Sequence, residues 1–253
     1  MKIVIIGGTG LIGRPLVGLL RAKGHDVVAA SPSMGIDALT GAGLAQALEG
    51  AAVVVDVSNA PSFEDAAAFT FFRGTTANLL ETARDAGVRH LIALSVVGTD
   101  RLQASGYFRA KLAQEQLIAA GGVPYTIVRA TQFFEFLSTI ADGYTQGSAV
   151  RLPGIAFQPV AAADVSALLA EIATATPGDG IIEVAGPERA PLAQFTASWL
   201  DAHDDTRRII VTDARDYFGA PADDRTLIPD EGARIAPTRF DAWLTAQSQE
   251  QGA

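Results

Sequence analysis

The stretch that most restricts what this chain can fold into is its first dozen residues, where the apolar run Ile3-Val4-Ile5-Ile6 is stopped at once by Gly7-Gly8-Thr9-Gly10-Leu11-Ile12-Gly13. A β-branched run with no polar face predicts a strand buried on both sides, and the glycines end it. Leu11, Ile12, Leu16, Leu19 and Leu20 then fall on one helical stripe that closes at Lys23-Gly24. Strand, glycine turn and helix together aim the free amides of a helix N-terminus at a pyrophosphate. The turn residues Gly7, Thr9, Gly10, Leu11, Ile12 and Gly13 are therefore the expected dinucleotide cradle. Two spacings fit, Gly8-x-Gly10-x-x-Gly13 and Gly7-x-x-Gly10-x-x-Gly13, and the sequence does not separate them.

The regular alternation that follows predicts a Rossmann-type doubly wound parallel α/β sheet. Strands are expected at Asp26–Ala30, at Gly35-Ile36-Asp37, at Val53–Val57 and at His90–Ser95. Helices are expected at Leu39–Leu48, once or twice within Phe63–Gly87, and after Tyr107. The first strand to be read as the last is Ile181–Val184. With 253 residues, 49% hydrophobic and 19% charged, the chain is long enough for one large α/β domain. Residues 1–130 form its nucleotide-binding core, and 131–253 a smaller C-terminal substrate side and cover. A net charge of -9 argues against nucleic acid as a partner. The absence of cysteine excludes disulfides and thiolate metal sites, and the three histidines have no ligand spacing, so no metal is expected. With no long apolar run and no leader, the chain reads as cytoplasmic, with no membrane partner.

The residue ending the second strand meets the adenosine ribose in such a unit, where an acid would bind the 2′-hydroxyl of NAD and repel the 2′-phosphate of NADP. Here it is Ser31, which points to NADP, with NAD possible. Ser31, Ser33 and Arg14 are the candidate phosphate ligands, and Asp37 and Ser58 the candidate adenine and ribose contacts. The chemistry is expected just beyond. Ser95 ends a strand, and Tyr107 and Lys111, four apart, share a helix face. An ammonium near the phenol lowers its pKa and makes it a proton shuttle, while Ser95 can hold the reacting oxygen.

These residues, with Tyr125-Thr126-Ile127-Val128-Arg129-Ala130-Thr131-Gln132-Phe133-Phe134 and Ile182-Glu183-Val184-Ala185-Gly186-Pro187-Glu188, resemble the short-chain dehydrogenase/reductase superfamily and its NmrA-like branch over most of the chain to Leu200. The resemblance implies that Ser95, Tyr107 and Lys111 match the superfamily's catalytic serine, tyrosine and lysine, the lysine also contacting the nicotinamide ribose. One departure is Phe71, at a position where many relatives have an asparagine; Asn78 matches a second asparagine read as structural. Some NmrA-like proteins lack the tyrosine and are redox sensors, and this chain retains it.

Two readings follow. The first is an NADP-dependent oxidoreductase passing hydride to or from a small apolar carbonyl or quinone-like substrate. The second is an NAD(P)-sensing regulator without turnover. A sugar-nucleotide epimerase or dehydratase would use the same three side chains and retain NAD tightly. Phe133, Phe134, Phe136, Tyr144 and Phe157, among Gly143, Gly147, Pro153 and Gly154, suggest a mobile apolar substrate cover, with ordinary core packing the better reading for any one of them alone. Trp199 and Trp243 are read as packing residues. Helices flanking the sheet leave a homodimer possible.

Overall fold

The β-branched runs become parallel strands because neither of their faces meets water. The structure is a computed structural model that describes residues 1–251, with side chains to Gln249. Its main sheet comprises β1 (Lys2–Ile6), β2 (Asp26–Ala30), β3 (Val53–Asp56), β4 (His90–Val96), β5 (Tyr125–Ala130), β6 (Gly180–Ala185) and β7 (Arg234–Ile235). Their spatial order is β7-β6-β5-β4-β3-β1-β2, and every pairing is parallel. Helices α1 (Gly13–Ala22), α2 (Leu44–Leu48), α3 (Asp65–Asp85), α4 (Gly106–Ala119), α5 (Leu137–Gly143), α6 (Ala162–Ile172), α7 (Leu192–Ala202) and α8 (Phe240–Gln251) accompany it. This is a Rossmann-type α/β fold.

The alternation within β1 divides the core. Ile3 and Ile5 pack with Leu16 and Leu20 of α1 and Val165 and Leu169 of α6. Val4 and Ile6 point the other way, into a cluster with Leu48 of α2, Leu79 of α3 and Ile118 of α4. Asn78 of α3 donates to the carbonyls of Ala38 and Leu39, the structural role read for it.

Three expectations are corrected. Gly35-Ile36-Asp37 is not a strand: Pro32–Met34 makes a 3-10 turn that ends on Gly35 at φ 77°, and Asp37 Oδ1 accepts from the amides of Leu39 and Thr40. Those local bonds compete with a ladder, so β2 is the sheet edge and the helix expected from Leu39 starts at Leu44. Phe63–Gly87 holds one helix, α3, within the one or two expected there. Ile181–Val184 is not the last strand, because Arg234 and Ile235 pair beside Val184 and Ala185.

The second half builds its own core from α5, α7 and α8, where Trp243 packs on Phe134 and Phe240. A small sheet, Arg208–Thr212 beside Ala149–Pro153, and a hairpin, Asp216–Tyr217 with Ala220–Pro221, complete it. Among the described residues no helix is long and apolar enough to cross a membrane.

β2 and β3 flank β1 on opposite sides, so the chain reverses its winding there. The crevice at the carboxyl ends of β1 and β3 is where an open parallel sheet receives a ligand.

Candidate functional site

The turn after β1 is shaped by backbone crowding. Gly7 sits at φ 78°, and its amide and that of Gly8 both donate to Ala30 O, at 2.9 and 3.1 Å. A Cβ on Gly8 would lie 2.7 Å from Ala29 Cα, and one on Gly13 only 2.1 Å from Gly7 O. Both sequence spacings thus describe real constraints: Gly7 takes the left-handed turn, Gly8 lies against β2, and Gly13 lets α1 close on the turn. Gly10 differs, since a Cβ there would meet only Gly7 O, at 3.4 Å. No side chain caps α1 at Ile12, and among the described residues the amides of Leu11, Ile12 and Gly13 find no backbone acceptor. Free amides at a positive helix end, beside a glycine with an open face, fit a pyrophosphate. Gly10→Ala is expected to leave stability within about 0.5 kcal/mol and to weaken the dinucleotide about tenfold by filling that face; titration and thermal melting of the same variant check both.

A cleft of about 990 Å³ runs over the sheet's carboxyl edge. Of the residues expected to bind the cofactor, Gly7, Thr9, Gly10, Leu11, Ile12, Ser31, Asp37, Ser58 and Lys111 line it, and so do Ser95 and Tyr107. Three are placed elsewhere. Gly13 lies beneath the turn, Ser33 is exposed with its hydroxyl 2.9 Å from that of Ser31, and Arg14 is exposed, reaching only Thr9 O at 3.5 Å. Ser58 donates its hydroxyl to Asp56 at 2.6 Å. The aromatic residues divide between the two readings made of them, cover and core. Phe133 and Phe136 line the cleft with Phe63, Phe71 and Phe218. Phe134 and Phe157 are core residues, and Tyr144 Oη accepts from the Phe218 amide at 2.6 Å.

Helix α4 carries Tyr107 and Lys111, the residues expected to handle the proton. Tyr107 packs against Phe63, Phe72 and Phe108, and its hydroxyl donates to Asn59 Oδ1 at 3.0 Å. Lys111 is buried, with Nζ donating to Leu94 O at 2.8 Å and to Gln114 Oε1, and lying 4.5 Å from the Phe72 ring centre. Here the sequence expectation is corrected. The ammonium's partners are not the phenol, and burial among aromatic rings pushes the Tyr107 pKa up rather than down. The lysine responds in the opposite sense: burial lowers it to about 8, against the pull of Asp56 and Glu115.

Ser95 donates to Glu115 Oε1 at 2.5 Å, so its proton is directed into the protein and not at a ligand. Glu115 is in turn gripped by Arg129, Nε to Oε1 at 3.0 Å and Nη2 to Oε2 at 2.7 Å. Gln114 spans from Lys111 to the fully buried Asp56, donating to its Oδ2 at 3.1 Å; burial raises the Asp56 pKa while Ser58 and Lys111 oppose the rise. Asn59, Asp56, Gln114 and Glu115 were not singled out from sequence. The available signal was helical spacing: Gln114 and Glu115 lie three and four residues after Lys111, hence on its buried face.

The NAD(P)H-binding family profile matches residues 7–176. A (4-alkanoyl-5-oxo-2,5-dihydrofuran-3-yl)methyl phosphate reductase of Streptomyces griseus is 30% identical over 77% of this chain and 71% of its own. The chloroplastic divinyl chlorophyllide a 8-vinyl-reductase of Oryza sativa is 29% identical over 76% of this chain and 56% of its own. Among solved structures, dTDP-4-dehydrorhamnose reductase of Bacillus anthracis in complex with NADP superposes with a TM-score of 0.73 at 14% identity, covering 97% of this chain and 99% of that one. That last likeness is one of fold.

Proposed function

The chain belongs to the NAD(P)H-binding family, within the short-chain dehydrogenase/reductase superfamily, and on that premise we propose that it is an NADP-dependent reductase of a small apolar carbonyl or quinone-like substrate. The observation that carries the proposal is the single cleft joining the uncapped amides after β1 to the hydroxyl of Tyr107, under a cover of phenylalanines. A reduced nicotinamide bound there supplies hydride. The amides of the glycine turn hold phosphate, Lys111 holds the ribose, and Tyr107 Oη gives its proton to the substrate oxygen as charge develops on it. Phe63, Phe71 and Phe218 select apolar substrates and exclude water. Both curated relatives carry reductase names, which supports reduction as the direction of the chemistry.

The preference for NADP rests on the end of β2, where Ser31 stands in place of an acid. NADPH is expected to bind more tightly than NADH; the reverse order would overturn the preference. The reaction itself is tested by loss of nicotinamide absorbance from each cofactor against quinones, aldehydes and ketones. Turnover with NADPH is the expected result, and none with either cofactor, where both still bind, would remove the carbonyl and quinone substrate class.

A second reading, a cofactor-binding sensor without turnover, is favoured by one observation. The three side chains do not meet, because Ser95 is turned to Glu115 and Lys111 to Leu94 O and Gln114. A sensor would bind the cofactor undiminished in Tyr107→Phe and have no rate to lose.

A further inference from the structure

Gln132 is left without partners at the place where the cleft needs one. It follows β5 by two residues and lines the cleft, yet its amide oxygen and nitrogen are both shielded from solvent and unpaired. The Thr131 hydroxyl beside it is a second buried orphan. Buried polar groups are almost always paired, so an orphaned amide in a ligand cleft asks for a partner that arrives with the ligand. Its backbone is fixed: Gln132 O accepts from Val160 N at 2.9 Å, Phe134 N donates to Val160 O at 3.0 Å, and Thr131 N donates to Val184 O at 2.9 Å. The residue is thus held on a rigid ledge, and its shielded amide reaches a ligand in the cleft by turning about its own side-chain torsions.

Two orphaned atoms, one donor and one acceptor side by side, call for a ligand group offering the same pair. A ketone, aldehyde or quinone offers acceptors only. In a dinucleotide the ribose hydroxyls offer both on one freely turning atom, whereas adenine and the nicotinamide carboxamide hold a donor and an acceptor side by side in one plane, as the glutamine amide does, and the strand order decides between those two. Ser31 and the adenosine side lie at the β2 edge, whereas Gln132 lies beyond β1, β3 and β4, next to the strand that holds Ser95 and receives Lys111 at Leu94 O.

We infer that the Gln132 side chain pairs amide to amide with the carboxamide of the bound nicotinamide, fixing the rotation of the ring. This rests on the cofactor reading above but not on turnover. The test is equilibrium binding of NADP⁺ and NAD⁺, each beside its 3-acetylpyridine analogue, which keeps the carbonyl and lacks the N–H donor. Wild type should favour the natural cofactor over its analogue, and Gln132→Met should weaken the natural cofactor about tenfold and erase that preference. ADP-ribose 2′-phosphate, which has no nicotinamide, should bind both proteins equally and so report a folded variant. Equal affinity of wild type for cofactor and analogue would overturn the inference without any variant. So would a preference that survives in Gln132→Met, or a variant whose only change is a raised substrate KM. A protein that shows the predicted binding but reduces nothing would leave Gln132 where it is put here and would remove only the reductase reading.

Discussion

Tyr107→Phe is expected to lower kcat for carbonyl reduction by about 10²–10⁴-fold, the usual contribution of a positioned proton donor, while leaving cofactor affinity and the fold unchanged. The ring's contacts with Phe63, Phe72 and Phe108 survive the substitution. Only the hydroxyl's bond to Asn59 is lost, so stability should fall by no more than about 1 kcal/mol. The pH dependence has a definite sign. Burial raises the Tyr107 pKa above its ordinary value, so the phenol keeps its proton throughout the neutral range and acts as an acid. Lys111, lowered to about 8, is charged below that pH and neutral above it. The charged form is the one that holds the ribose in the reading above, so the rate should be flat at lower pH and fall as pH rises through about 8. A limb set by the tyrosine itself would appear above pH 10. Unchanged turnover in Tyr107→Phe would remove the proton-donor role, and a limb above pH 10 would separate Lys111 from it.

The parts of this site legible in the sequence are those fixed by neighbours in the chain. The glycine turn was legible because strand, turn and helix are contiguous and each leaves a local signature; even so, only the fold shows why both Gly7 and Gly8 are needed, since the obstacle to a larger residue at Gly8 is Ala29, on β2. Tyr107 and Lys111 were correctly placed on one helix. Their relation was misjudged, because α4 presents Lys111 to the carboxyl end of β4 and to Gln114, and that geometry comes from packing across the sheet. The helix face holding Lys111, Gln114 and Glu115 looks like an ordinary polar stripe, yet all three are buried. The loop at Gly35–Asp37 misled because one apolar residue, Ile36, between a glycine and an acid resembles a short strand, and the Asp37 turn bonds that decide otherwise are local but weakly encoded. The seventh strand, Arg234–Ile235, is two residues long and carries no period of its own.

The larger effect on stability is expected at a pair the sequence does not advertise. Arg129→Met should destabilise the protein by about 3–5 kcal/mol, the cost of leaving one charge of a buried pair without its partner. Arg129 on β5 and Glu115 on α4 are 7% and 4% exposed, joined by two bonds at 3.0 and 2.7 Å. Asp100 adds a third contact to the guanidinium at 3.4 Å, but it is half exposed and solvated on its own. Without the guanidinium, Glu115 keeps only the Ser95 hydroxyl, one donor for a carboxylate that can accept several bonds. Removing both charges should behave differently. In Glu115→Leu/Arg129→Met neither charge of the pair is left, so much of the lost stability should return, short of what Glu183, 3.9 Å from the guanidinium, and the nearby Lys111 lose with their partners, measured as the recovery of the urea midpoint at unchanged slope. Yet the double variant frees the Ser95 hydroxyl from its acceptor, so the pair's contribution to holding Ser95 would appear in kcat even where the midpoint is restored. A single variant that loses less than about 1 kcal/mol would mean that water reaches Glu115 readily, and that the grip on Ser95 is looser than these distances imply.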